Sequence, residues 1–289
     1  MELYLALAIP ILIGTAWLFT ASITRTTLPT LQGKRICLLI AHPDDEAMFF
    51  SPTVTALTAP EVGNHVKILC LSSGNADGLG ETRKKELAVS AGTLGLRRAD
   101  DVLVLEDAAF PDSMVQAWPT ERIADVLSRA FILPPEATGN PSRAAQAPPE
   151  TTVDVLITFD KGGVSAHPNH ASLFHGARAW VSRLMKGKEG WRCPVELYTL
   201  TSVSLWRKYL SFIDAPITLV VGALRGIGRS PKSKQQQASD LLFISGIQEY
   251  RKGQVAMTQG HKSQMRWFRW GWIGIGRYMI VNDLKREKV

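Results

Sequence analysis

The chain has 289 residues, 45% of them hydrophobic and 20% charged, so it can bury a core without a disulfide scaffold and is too apolar to be disordered or fibrous. Its three cysteines form no C-x-x-C pair, which excludes a secreted disulfide framework and a thiolate zinc site of the usual spacing. The formal net charge of +7 is uneven: residues 1–182 hold 14 basic and 19 acidic side chains, and residues 183–289 hold 19 and 7. A basic half beside an acidic one points to a polyanion, either nucleic acid or an anionic membrane.

Residues 3–23 are an uncharged, mostly apolar run of 21, the length that crosses a bilayer as a helix. Pro10 and Gly14 interrupt it, and membrane helices tolerate both. A signal peptide opens on positive charge, whereas the early side-chain charge here is Glu2. Arg25, Lys34 and Arg35 follow the run, so the positive-inside rule places everything after residue 24 in the cytosol. The membrane is therefore the expected polyanion, and no nucleic-acid partner is expected.

After a Thr- and Pro-containing linker over 24–33, strand and helix patterns alternate. Arg35-Ile-Cys-Leu-Leu-Ile40 is a continuous apolar run and predicts a buried strand. Further strands are predicted over 66–71, 102–105, 153–159 and 195–200, with helices over 48–58, 121–131 and 169–185. Another helix opens at Glu81 and ends near Gly95. The alternation predicts an α/β fold: a Rossmann-like, mostly parallel sheet with helices on both faces, preceded by one transmembrane helix. Residues 134–150, rich in Pro, Ala and polar side chains, predict a disordered surface insertion. Residues 205–225 carry Trp206, Tyr209 and Phe212 but are broken by Asp214 and Pro216, too short a run to span. Residues 265–281 mix Trp267, Phe268, Trp270, Trp272 and Tyr278 with Arg266, Arg269 and Arg277. That composition fits a membrane–water boundary as well as ordinary packing on the domain.

Two clusters carry chemistry. Ala41-His-Pro-Asp-Asp-Glu46 directly follows the first strand, and Phe159-Asp-Lys-Gly-Gly-Val-Ser-Ala-His-Pro-Asn-His170 includes the end of the fourth and the loop after it. Parallel α/β sheets bind ligands at the carboxyl ends of their strands, so His42, Asp44, Asp45, His167 and His170 are expected in one cleft. Zinc takes imidazole nitrogen and carboxylate oxygen, and a catalytic site keeps one position open. Two histidines and one carboxylate leave that position free, and a second carboxylate beside the metal can take a proton. Read alone, the acidic run is a helix N-terminus, where carboxylates favour the dipole; Glu46 keeps that reading.

The paired motifs resemble the PIG-L, or LmbE-like, family of zinc-dependent de-N-acetylases. That family's early His-Pro-Asp-Asp-Glu and later His-x-Asn/Asp-His patterns appear here as His42–Glu46 and His167–His170. Supporting stretches are Gly74-Asn75, Gly80-Glu-Thr-Arg-Lys-Lys-Glu-Leu87, Phe159-Asp160, Gly163-Val-Ser165, Ser263-Gln-Met-Arg-Trp-Phe268 and Arg277-Tyr-Met279. The resemblance runs from about residue 34 to residue 283 and is weakest across 134–150 and 205–240. It implies metal ligands His42, Asp45 and His170, holding Zn2+ or another divalent ion. It implies Asp44 as general base and His167 as the group that stabilises the oxyanion or protonates the leaving amine. Asn169 stands where bacterial members often carry Asp.

The Gly80–Leu87 stretch and the anchor narrow the resemblance to the glycolipid branch. The implied reaction removes the N-acetyl group of N-acetylglucosaminyl-phosphatidylinositol, the second step of GPI anchor synthesis. The implied organisation is an anchor over 1–24 and a catalytic domain over 34–283 at the endoplasmic reticulum membrane, facing the cytosol. Arg83 falls near the cleft, as a partner for the lipid phosphate or as a salt bridge. Two other classes stay open on the residues alone: a non-haem iron oxygenase with the same ligand types, normally on a jelly-roll sheet, and an inactive membrane or nucleic-acid scaffold. Retention of all five polar residues speaks against the second.

Overall fold

A computed structural model describes residues 2–133, 149–226 and 240–289. Most of the expected insertion over 134–150 lies outside the described residues. The strands are β1 Arg35–Ile40, β2 His65–Cys70, β3 Val102–Val104, β4 Val155–Phe159, β5 Glu196–Leu200, β6 Leu241–Ile244 and β7 Val281–Arg286. They form one sheet in the order β3-β2-β1-β4-β5-β7-β6. The first five are parallel, and β7 runs antiparallel to both β5 and β6. The mostly parallel α/β sheet is as expected; β6 and β7 are additions to it, and they close the β5 side.

The helices are α1 Glu2–Thr27, α2 Asp45–Met48, α3 Ser51–Leu57, α4 Gly80–Leu94, α5 Thr120–Phe131, α6 Gly163–Ala166, α7 Pro168–Met185, α8 Leu205–Lys208, α9 Asp214–Gly226, α10 Ile247–Val255 and α11 Trp267–Ile275. They surround the sheet: α7 lies on β1, β4 and β5 with α5 packed on it, and α3 lies against β6 and β7 and packs with α10 and α4. β4 is buried along its whole length and β1 except at Arg35, which explains their unbroken apolar runs. Chain order doubles back at β1 and β4, which pair with each other although a long crossover separates them. Their carboxyl ends flank the crevice where such sheets bind ligands, and both polar clusters leave from those two ends.

The helix expected over 48–58 is two pieces, α2 and α3, broken at Phe49 and Phe50. Pro52 near the start of α3 suits a new helix N-terminus. The break turns Phe49 towards His170, with ring centroids 5.6 Å apart. α1 is long and apolar enough over Ala8–Thr27 to cross a membrane, and its second half rests on the domain. There the Trp17 indole donates to the Ser245 carbonyl at 2.8 Å and Arg25 pairs with Glu249 at 3.0 Å. Residues 265–281 divide between the two readings. Arg277 and Tyr278 are buried, the former paired with Asp214 and Asp283, whereas Trp267, Phe268 and Trp270 face outwards.

Candidate active site

The loop after β1 brings His42, Asp44 and Asp45 to the crevice. Asp45 accepts the Ala41 and His42 N–H groups on Oδ2, at 2.9 and 3.0 Å. That leaves Oδ1 pointing at His170 Nε2, 3.2 Å away. Burial alone pushes the Asp45 carboxyl up, but His170, His42 and the His42 N–H outweigh it and hold it well below the usual carboxylate range. Asp44 takes φ 124°, a conformation that L-residues rarely adopt. It is fixed there because its N–H donates to Glu46 at 3.1 Å and its carbonyl accepts from Ala47 and Met48. Strain held by surrounding bonds in this way is typical of functional positions.

The loop after β4 supplies the two later histidines, and Asp160 organises it. Asp160 accepts N–H groups from Gly162, Gly163 and Ser202. Gly163 is required at its place: φ is +53°, and a Cβ there would stand 3.0 Å from that of His170. This close approach lets the Gly163 carbonyl meet His170 Nδ1 at 3.1 Å. Nδ1 therefore donates to that carbonyl, which turns Nε2 towards Asp45 Oδ1, where a proton or a cation can stand between them. Phe159 lies flat on the same ring, with centroids 3.9 Å apart and 2° between planes. Burial lowers the His170 pKa, but Asp45 more than reverses this and raises it.

His167 caps α7, accepting the Asn169 N–H on Nδ1 at 3.2 Å. Its neutral tautomer thus carries the proton on Nε2. Burial, and the cost of placing a positive charge beside the His170 and His42 rings, lower its pKa to about 4, so it is a neutral donor at pH 7. Asn169 is buried and spends its amide on the loop before α5, accepting from Ser113 and donating to Gln116. A charged partner for His167 at that position is therefore absent.

His42, Asp45 and His170 each offer a ligand atom, all within 4.8 Å of one another, and all three residues are buried. His42 Nε2 makes no hydrogen bond, although it is buried; its pKa is lowered, chiefly by that burial. A buried imidazole nitrogen that makes no hydrogen bond, beside an anionic carboxylate and a second imidazole nitrogen, fits a divalent cation. Asp112 was not foreseen. It stands 3.3 Å from His42 Nε2 and forms a second set with His42 and His167. No spacing marks it, because it lies on the irregular segment between β3 and α5.

Two arginines border Asp44. Arg269 of α11 pairs with it directly, and Arg83 of α4 approaches to 3.9 Å. Arg83 is tied to the Gly74 and Pro43 carbonyls at 2.6 and 2.9 Å and to Asp112 at 3.4 Å, so it fastens the loop that holds the aspartates. Glu46 is fully buried, accepting from Ser90 at 2.5 Å and paired with His261 at 2.7 Å. It stands in the first turn of α2 as expected and is in addition locked into a closed buried pair. Gly260 allows that pair to form, since a Cβ there would stand 2.8 Å from the Ser90 Cβ. Removing one partner of a buried ion pair costs about 3–5 kcal/mol. The variant His261→Ala is accordingly expected to lose stability of that order in denaturant unfolding, and a loss under about 1 kcal/mol contradicts the pairing.

A model of one protein family, described as GlcNAc-PI de-N-acetylase, matches residues 37–181. The chain belongs to the PIG-L family. Among curated members, the N-acetylglucosaminyl-phosphatidylinositol de-N-acetylase of Arthroderma benhamiae is 46% identical, covering 99% of this chain and 98% of that one. The enzyme of the same name from Bos taurus is 36% identical over 97% and 96%. The Schizosaccharomyces pombe protein, named a probable enzyme of this type, is 34% identical over 94% of each chain. The PIG-L family match spans β1 to α7 and so contains both strand-end clusters. The sheet is not a jelly roll, which removes the premise of the oxygenase reading.

Proposed function

We propose that this chain hydrolyses the acetamide of N-acetylglucosaminyl-phosphatidylinositol, releasing acetate and leaving the free amine on the glycolipid. The reading is carried by the buried His42–Asp45–His170 set beside a strained and equally buried Asp44, in a chain whose full-length relatives bear that enzyme's name. His42, Asp45 and His170 would hold the metal, for which their nitrogen and oxygen donors suit Zn2+. Such a cation supplies Lewis acidity and lowers the pKa of an attacking water. Asp44 accepts the proton as that water adds to the carbonyl carbon. His167 donates from Nε2 to the oxygen that becomes the oxyanion, a contribution of about 3–4 kcal/mol where the donor is preorganised. The C–N bond then breaks, the amine leaves protonated and acetate remains. Arg269 and Arg83 border the Asp44 carboxylate and hold it in place.

The proposed organisation is an anchor over 1–24 and a catalytic domain over 34–283. The acyl chains of the substrate stay in the bilayer while its sugar enters the crevice. The test is acetate release from glycolipid labelled in the acetyl group. Turnover of this substrate is expected, and its absence with a metal-loaded, folded chain overturns the assignment.

We also place the catalytic domain on the cytosolic side of the endoplasmic reticulum membrane. Arg25, Lys34 and Arg35 follow the apolar run, Cys37, Cys70 and Cys193 are free as suits a reducing compartment, and the sequence has no N-x-S/T sequon with a permitted middle residue. Protease added to sealed microsomes is expected to digest a C-terminal tag without detergent. A tag protected until detergent is added reverses the topology.

A further inference from the structure

We infer that α11 and the segment 205–213 form a second membrane contact, an aromatic rim seated at headgroup depth in an anionic bilayer beside α1. Among the described residues, Ala8–Thr27 is the one stretch long and apolar enough to span, at 20 residues. At 1.5 Å per residue it covers about 30 Å, the thickness of the hydrocarbon core, with nothing to spare. Yet its second half is fixed to the domain. Trp17 stacks on Phe212 at 5.5 Å and donates to Ser245, Ala21 and Thr24 are buried, and Arg25 pairs with Glu249. If that half enters the bilayer, the surface beside it enters too.

That surface has the composition for it. Trp206 and Trp267 are each 86% exposed, and Tyr209, Phe268 and Trp270 are also exposed. Single exposed apolar residues are ordinary, but several aromatic ones on adjoining elements mark an interaction site. These elements meet around the turn Ser211–Ile213, which packs against both α1 and α11; Tyr209 lies 6.0 Å from Trp272 across that junction. Trp and Tyr settle at the membrane–water boundary, and helices lying in that plane bury their apolar face by about 5–10 Å.

α11 is two-sided. On its inner side the Trp272 indole donates to the Met48 carbonyl at 3.0 Å, and Ile273 is buried. Arg269 reaches from the same helix to Asp44. Its other side presents Trp267, Phe268 and Trp270. A helix that touches the active site with one side and carries exposed aromatics on the other sets the crevice at the level of the bilayer surface. The 19 basic against 7 acidic residues of 183–289 favour an anionic bilayer as the occupant rather than an uncharged one. The contact does not depend on the deacetylase reading, because what is measured is depth and not turnover.

The test uses the full chain in nanodiscs of phosphatidylcholine and phosphatidylserine, with and without phosphatidylcholine brominated near the headgroup. Intrinsic tryptophan emission is compared between the wild type and the variant Trp206→Ala/Trp267→Ala/Trp270→Ala. The wild type is expected to be quenched, and the triple variant, which keeps Trp17, about twofold less. Trp191, exposed ahead of β5 and on neither of the rim's segments, provides the control: Trp191→Ala is expected to leave the quenched fraction no lower than in the wild type. An equal quenched fraction in the triple variant and the wild type overturns the proposal, leaving the rim to water or to a protein partner. Should the triple variant lose its circular dichroism signature, Trp267→Ala alone is read in the same way. A smaller drop in quenching supports the contact, and no drop overturns it.

Discussion

Replacing His42, Asp45 or His170 by alanine is expected to remove bound metal and deacetylation together. Each offers one donor atom to a buried group of three that could hold a metal ion, and a catalytic zinc site typically holds its ion with three protein ligands. Asp45 is aimed by the Ala41 and His42 N–H groups, and His170 by the Gly163 carbonyl. Losing a group that only orients a ligand typically costs 10–100-fold in affinity or activity, so losing a ligand is expected to cost more, taking activity to background. Metal content of the purified variants by mass spectrometry checks this. Full occupancy in any one of them removes that residue from the set and gives its place to Asp112, the nearby unforeseen carboxylate.

The second large effect is at Asp44. The variant Asp44→Asn keeps shape and an acceptor for Arg269 but cannot take a proton. Turnover is expected to fall about 100- to 10,000-fold, the usual contribution of a general base, with metal content and unfolding midpoint unchanged. If turnover stays near wild type, the base is another group. Glu46 is not that group, since it is fully buried and engaged with Ser90 and His261. Asp112, partly exposed and beside His42, is the alternative.

The parts of this arrangement legible in the sequence are those with a local signal. β1 and β4 are continuous apolar runs, and each is followed by a cluster of histidines and carboxylates. That both clusters face one edge of the sheet follows from the parallel-sheet rule; that β1 and β4 are neighbours is set by the strand order. What escaped detection has no local signal. β6 has only four residues. β7 contains Asn282, Asp283, Lys285 and Arg286, because Asn282 serves Thr53 and Phe49 and Asp283 serves Arg277 rather than alternating with solvent. His261 meets Glu46 across 215 positions, a pairing that no spacing encodes. Arg269 lies among tryptophans, and composition alone could not separate the side chain that turns inward to Asp44 from the neighbours that turn out. The resemblance sets Asp44 apart as the base, but composition and spacing alone do not distinguish it from Asp45. Its backbone conformation, which distinguishes it from Asp45 and Glu46, exists only once the loop is closed by both neighbours.

The central claim is that metal held by this crevice is what makes the chain a deacetylase. The most direct measurement strips the purified full chain with a chelator, then follows acetate release from N-acetylglucosaminyl-phosphatidylinositol as Zn2+ is added back in substoichiometric steps. Activity is predicted to vanish on stripping and to return in proportion to bound metal, saturating at about one ion per chain, as a single set of three ligands requires. Undiminished activity in the metal-free chain, or full metal loading without any acetate released, would contradict it.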